Sequence, residues 1–560
     1  MQRRELLKLL TGFGIGSPVF ASHLAALADE RPIDRATIEQ AERLAGLELT
    51  DEQRDAVAEA ASRRVAQRQP LGALDLGPDD APAFVFKVAD GDPAPTPPTD
   101  RRAQPLEVAI DARPADDELA FLSVAELGAL LRAGKVTSVE LTRLAIERLK
   151  KYDPILHCVV TLCETTALER AAQADRELAA GTDRGALHGI PWGAKDLIAV
   201  PGYPTTWGAP QFREQQFETA ATVAKRLDDA GAVLVAKLSL GALAMGDQWF
   251  GGMTRAPWDV ARGSSGSSAG SASAVAAGLV PFALGSETLG SIVSPSRRCG
   301  TVGLRPTFGR VSRAGCMPLS WTMDKIGPIC RSAQDTMLVL AAIHGADGID
   351  RTAVDRPLEW PPSIDFASLK VGVVRTRRRD DDSEPRALRD EGAIAAILED
   401  LGATLIEIEL PEELPVWAMV HLLEIEAAAM FHDLTERGDD EGLNAWGGIF
   451  RAARFTSAVE YVQMMRARSR LQTRMETLMS TVDLYVSQTD VGHTNLTGHP
   501  SIVLPTGLRA RGDERPMPTT ETLTGRLFDE ARLVAVAHAV ERKLDFRRLR
   551  PPLDEQLVAE

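Results

Sequence analysis

Three segments carry residues able to do chemistry. In Gly189-Ile190-Pro191-Trp192-Gly193-Ala194-Lys195-Asp196 a lysine closes an apolar, strand-like run, with a carboxylate beside it. An ammonium among Ile190, Trp192, Ala194, Leu197 and Ile198 loses its water, and burial disfavours the charged form, moving its pKa from about 10.4 toward neutrality. A neutral amine there can accept a proton. The second segment, Gly263 to Ser273, is almost wholly Gly, Ser and Ala and runs into Ala274-Val275-Ala276-Ala277-Gly278. A bare Gly/Ser stretch reads as a linker. Linkers rarely enter a buried helix, however, and small residues pack closely while a Ser/Gly turn leaves backbone N–H groups free to bind an anion. In the third, Leu284-Gly285-Ser286-Glu287-Thr288-Leu289-Gly290-Ser291-Ile292, a serine follows glycine in a tight turn where successive N–H groups converge on an oxyanion.

One reading of the second segment takes Gly266-Ser267-Ser268-Ala269-Gly270 as a GxSxG elbow, with Ser268 the nucleophile of an α/β-hydrolase and His499 or His538 downstream. That elbow needs a buried strand just before it, and Met253 to Arg262 is polar and broken by proline.

In order and spacing, the pieces resemble the amidase signature family, which includes fatty acid amide hydrolase, bacterial aryl and peptide amidases and the A subunit of tRNA-dependent amidotransferases. The residues that carry the resemblance are Lys195-Asp196, Ser265 to Ser271, Gly285 to Ile292 and Cys299 to Thr307. Met323 to Pro328, Asn495 to Ser501 and Pro505-Thr506-Gly507 add to it. Counting back from Val275-Ala276-Ala277-Gly278 puts the family's serine doublet on Ser267-Ser268. The resemblance then implies a Ser-Ser-Lys triad, with Ser291 the nucleophile, Ser267 on a cis peptide relaying the proton and Lys195 the base. It implies an oxyanion hole from the backbone N–H groups of Thr288, Leu289, Gly290 and Ser291, and loop-organising roles for Ser268 and Glu287. The sequence departs from the family at Leu289, Ala269 and Ser265, which stand at glycine positions, and at Val293, where an arginine commonly pairs with the acid that is here Glu287. Glu287 is therefore expected to find Arg297 or Arg298, or to be solvated. The implied fold is α/β, a central mixed, mostly parallel twisted sheet with helices on both faces. The implied reaction is hydrolysis of an amide through an acyl-enzyme.

The elements that must position these residues follow from capping and periodicity. Ser123 and Thr137 open two helices, the first ended by Gly134 and the second running through Lys151. Strand-like runs at His157 to Leu162 and Ala232 to Leu238 alternate with helical segments at Thr165 to Ala180 and Ala220 to Ala230, the signature of an α/β domain. The expected organisation is an export signal over residues 1–30, a helical hairpin arm over 34–69, a Pro-rich linker over 70–116, the amidase domain over 117–547 and a tail over 548–560. Arg3-Arg4, a short Gly-rich apolar stretch and Ala26-Leu27-Ala28 resemble a twin-arginine signal. They point to an exported, periplasmic protein, with a cytoplasmic one the alternative. The apolar segment Trp417 to Met465 is expected either to wall a substrate pocket or to form core.

Composition narrows the classes. The chain has 560 residues, 44% hydrophobic and 25% charged, with a net charge of −16. That acidic balance disfavours direct nucleic-acid binding. Five cysteines are too few for a disulfide framework, and no Cys/His cluster has zinc spacing, so no metal or other cofactor is expected. No apolar run reaches the roughly 18 residues of a membrane span. The expected partner is a small-molecule amide, and the expected assembly a monomer or homodimer. An amidotransferase subunit and a non-catalytic binder with the same fold are the rival functions.

Overall fold

Two helices near the N-terminus, α1 (Arg35–Ala41) and α2 (Asp51–Gly72), bury Ile38, Val57 and Ala58 together with Leu47 and Leu49 from their connection. In the computed structural model, residues 33–559 are described apart from 73, 75–102, 107, 109, 111, 375–387, 489, 511, 513 and 545. The expected export signal lies outside the described residues, as does most of the linker. The chain divides into two units, one of residues up to Phe84 with Glu412–Arg470, the other of Val85–Pro411 with Leu471–Glu560.

In the first unit the hairpin folds with the helices of the later insertion. Arg64 of α2 bonds Glu424 at 2.7 Å and the Ile449 carbonyl at 3.2 Å. Leu422, Phe431, Trp446 and Phe450 are buried there, the last two stacked with ring centroids 5.0 Å apart. These residues of the Trp417 to Met465 segment are thus core.

The second unit is built on one sheet. Its strands are β1 (Val159–Leu162), β2 (Pro191–Lys195), β3 (Val233–Leu238), β4 (Phe282–Glu287), β5 (Val302–Arg305) and β6 (Lys325–Cys330). They continue with β7 (Lys370–Val374), β8 (Thr404–Ile408), β9 (Leu484–Ser487), β10 (Ser501–Arg509) and β11 (Met517–Gly525). The spatial order is β1-β3-β2-β4-β6-β5-β10-β11-β9-β7-β8. The sheet is mixed, as expected, but the expected predominance of parallel pairing is not observed. Parallel neighbours are confined to β3-β2-β4 and β9-β7-β8, while the middle of the sheet and the β1 edge pair antiparallel. The reason lies in the connections: β10 returns as β11 through a short turn, which can join only antiparallel strands.

Helix starts follow the capping residues. Ser123 and Thr137 both form capping boxes, with Glu126 and Glu140. The second of these helices, α3 (Ser138–Leu156), runs past the expected Lys151 and ends where His157 turns left-handed. Every residue of β2 is buried, and β2 lies parallel to β4 with Trp192 opposite Phe282 and Ala194 opposite Leu284. The Gly/Ser/Ala segment forms a short, wholly buried helix, α4 (Ala269–Ala276). Its small residues permit close approach. A Cβ on Gly270 would lie 2.5 Å from both the Cys158 carbonyl oxygen and the Ser239 nitrogen, which are backbone atoms that cannot rotate aside. Gly270→Ala is expected to cost roughly 1–3 kcal/mol through overpacking, read as a lowered denaturation midpoint at unchanged slope.

Candidate active site

The ends of β2 and β4 and the loop entering α4 meet around one amine. Lys195, the last residue of β2, has no solvent exposure. Its Nζ lies 2.8 Å from Ser267 Oγ, 3.1 Å from Ser268 Oγ and 2.9 Å from Ser286 Oγ, with the Ser286 carbonyl at 3.3 Å. Burial dominates its protonation, pushing the pKa down to about 7 against the opposing pull of Asp324 and Glu287. The adjacent Asp196 does not serve it. It lies in the turn just beyond β2 and pairs instead with a second buried amine, Lys237 of β3, at 2.7 Å.

The loop before α4 is held from several directions. The Gly266–Ser267 peptide is cis, and a Cβ on Gly266 would sit 1.8 Å from the Gly246 carbonyl oxygen, so only glycine fits. Ser265, at a family glycine position, takes φ 60°, the left-handed region that disfavours side chains. Asp247 receives its N–H at 2.9 Å. Ser268 Oγ donates to the Ser286 carbonyl at 3.1 Å and accepts the Ser286 N–H at 3.2 Å, tying the loop to β4.

Ser291 reaches the cluster through its backbone, its carbonyl accepting the Ser268 N–H at 3.0 Å. Gly290 before it has φ 86°. The N–H groups of Leu289, Gly290 and Ser291 donate to no protein acceptor among the described residues, leaving donors available for a ligand. Thr288 is tied off by its side chain, which donates to Asp324 Oδ1 at 2.6 Å; Asp324 also receives the N–H groups of Leu319 and Ser320.

Glu287 corrects the sequence reading. It is fully buried, and its partner is neither Arg297 nor Arg298 but Arg305 at the end of β5, 2.7 Å from Oε1. Asn495 Nδ2 donates to the same oxygen at 2.8 Å, and Oε2 accepts the N–H groups of Ile292 and Val293 at 2.8 and 2.9 Å. Burial pushes this carboxyl up, but the Arg305 charge and the converging donors outweigh it and hold the pKa down at about 2. Arg297 and Arg298 lie on α5 (Val293–Cys299), where Arg297 turns to Thr520 and Arg298 is exposed. Val293, where the family commonly has arginine, contributes its backbone instead.

Four participants escaped the sequence reading as site residues: Ser286, Asp324, Arg305 and Asn495. Each lies in a quoted motif, but the motifs meet only in the folded chain, Arg305 from a strand, Asn495 from a helix and Asp324 from the loop before β6. His499 lies apart from the Lys195 hydrogen bonds. It is buried, its Nδ1 meets Thr497 Oγ1 at 2.7 Å, and burial and Arg305 lower its pKa to about 4. The hydrolase elbow on Ser268 finds no histidine partner among the described residues, since that hydroxyl meets Lys195 and Ser286 while His499 Nδ1 meets Thr497.

Residues 140–501 match the family model described as Amidase. The chain is 30% identical over 494 residues to the A subunit of the Glutamyl-tRNA(Gln) amidotransferase of Carboxydothermus hydrogenoformans, covering 78% of this chain and 100% of the relative. It is 32% identical over 491 residues to the corresponding protein of Chloroflexus aurantiacus, with coverage of 78% and 99%. Among solved structures, the native peptide amidase of Stenotrophomonas maltophilia superposes with a TM-score of 0.65 at 28% identity, covering 77% of this chain and 98% of that one.

Arg305→Met strands the Glu287 carboxylate in the interior and is expected to cost about 3–5 kcal/mol in a denaturant titration. The stabilisation that Glu287 supplies is present above its ordinary value of 4.5 and is lost as pH falls toward about 2. The variant's deficit is therefore expected to shrink on acidification.

Proposed function

Because the chain belongs to the amidase family, we propose that it hydrolyses a carboxylic amide to acid and amine through an acyl-enzyme on Ser291. The observation that supports this most directly is the buried Lys195 amine, its pKa lowered to about 7 so that a large share is neutral at pH 7, and 2.8 Å from Ser267 Oγ.

In this reading neutral Lys195 withdraws the Ser267 proton as Ser267 takes that of Ser291, and Ser291 Oγ attacks the amide carbonyl. The N–H groups of Leu289, Gly290 and Ser291, with that of Thr288 beside them, receive the negative charge that develops on the carbonyl oxygen. The proton held by Lys195 returns through Ser267 to the departing nitrogen as the C–N bond breaks. Water, deprotonated along the same path, then cleaves the ester and restores Ser291. Ser268 and Ser286 position the amine, and Glu287 fixes the turn that carries Ser291 by holding the N–H groups just beyond it.

The amidotransferase relatives favour a second reading, in which ammonia freed at Ser291 passes to a partner's acceptor. Ammonia or amine release by the chain alone, without an acceptor, separates the two and is expected here.

Ser291→Ala is expected to lower kcat/KM for a cleaved amide by at least about a thousandfold, with the folded state preserved by circular dichroism. Residual turnover equal to wild type rejects the nucleophile and leaves a binding protein. Since the amine acts only when neutral, kcat/KM is expected to climb about tenfold per pH unit below roughly pH 7 and level off above it. A profile flat from pH 5 to 8 excludes Lys195 as base. We further read residues 1–30 as an export address. Replacing Arg3 and Arg4 with lysine is expected to move the chain from periplasm to cytoplasm on fractionation, and an unchanged distribution rejects it.

A further inference from the structure

A cleft of about 540 Å³ opens beside α5 and the outer ends of β10 and β11, bordered by Ser265 and Ser294. Guanidinium groups dominate its lining: Arg297 and Arg298 from α5, Arg262 from the strand before the serine loop, Arg509 from the end of β10 and Arg515 from the turn after it. Among the described residues Glu514 is the one carboxylate in that lining, and it is engaged by Arg262 at 2.6 Å. Arg262 also meets Asp259 at 3.0 Å, and Arg515 lies 3.8 Å from Glu555. Arg297, Arg298 and Arg509 contact no carboxylate among the described residues. Arg297 is half-buried, its Nε donates to Thr520 Oγ1 at 3.2 Å, and burial lowers its pKa with no anion opposing the shift. A desolvated guanidinium without a counter-ion is costly unless a ligand supplies one.

The cleft adjoins the proposed nucleophile. Ser291, Ser294 and Arg297 recur at intervals of three residues, and the Ser294 N–H bonds the Gly290 carbonyl at 2.7 Å, so the helical turn begins before α5. At 1.5 Å per residue, Arg297 lies roughly 9 Å along the axis from Ser291, and helical side chains lean back toward the N-terminus. Ser265 brings the opposite wall to within two residues of Ser267. The whole chain carries a net charge of −16, so this cleft is a local reversal of the prevailing field, suited to selecting anions at short range.

We propose that the arginine cleft binds an anionic substituent, carboxylate or phosphate, carried by the amide substrate on the same molecule as the scissile bond. Planar guanidinium groups receive either through paired N–H donors. The proposal rests on Ser291 as the nucleophile and adds to it the chemical class of amide cleaved.

The test compares adipic acid monoanilide with hexananilide, matched in chain length and differing in a terminal carboxylate, using the full chain. We expect kcat/KM to favour the acid by about tenfold or more, expressed in KM, and to lose that preference in Arg297→Gln, in the exposed-site variant Arg298→Gln and in high salt. Equal rates for the two anilides in a wild type that Ser291→Ala inactivates overturn the anion site while the hydrolytic reading stands. If wild type cleaves neither, the hydrolytic reading loses its support and calorimetric titration judges the cleft alone. Adipate or inorganic phosphate binding to wild type and not to Arg297→Gln upholds the anion site and shows which oxyanion it takes. Absence of heat with both overturns it.

Discussion

A carboxylate sealed from water organises the second unit. Glu287 receives four donors: the guanidinium of β5, the amide of Asn495 and two backbone N–H groups beyond Ser291. None could be withdrawn without leaving a buried charge under-solvated, so the strand end, the turn at Ser291 and the helix Gly492–Thr497 that carries Asn495 are fixed relative to one another. The free N–H groups of the turn owe their direction to this anchor, since the next two along the chain are already committed to Oε2.

The same economy governs the amine. Lys195 and Lys237 are both fully buried, on neighbouring strands, yet they meet opposite environments. Lys237 has the Asp196 carboxylate at 2.7 Å, whereas Lys195 touches only hydroxyls and a carbonyl. Hydroxyl contacts stabilise a cation less than a carboxylate does, so desolvation wins at Lys195. Carboxylates do act on it from farther away, through Asp324 and Glu287, and they limit the fall to about 7.

Much of this was legible in the sequence because it is local. The burial of Lys195 follows from its apolar neighbours, the close-packed helix from its small residues, and the turn at Gly290 from Gly-Ser. What was not legible depends on sheet order. Arg305 reaches Glu287 because β6 lies between β4 and β5, an arrangement no periodicity reveals, while Arg297 and Arg298 were nearer in sequence and lay on the wrong face of a helix. Asp196 is next to Lys195 in sequence, yet the turn that follows β2 aims it at Lys237. The alternation of helices and strands describes the parallel runs β3-β2-β4 and β9-β7-β8, and the antiparallel pairs between them depend on strand order that no local period carries.

The tie between Ser268 and Ser286 carries one more implication. The two hydroxyls that steady the amine belong to segments which also hold each other, through the N–H and carbonyl of Ser286. Displacing the serine loop therefore breaks bonds to the strand end as well as to the amine, so loop, strand end and amine are coupled rather than placed independently. The contacts that hold the Lys195 amine against Ser268 and Ser286 are thus braced by bonds between the two segments themselves.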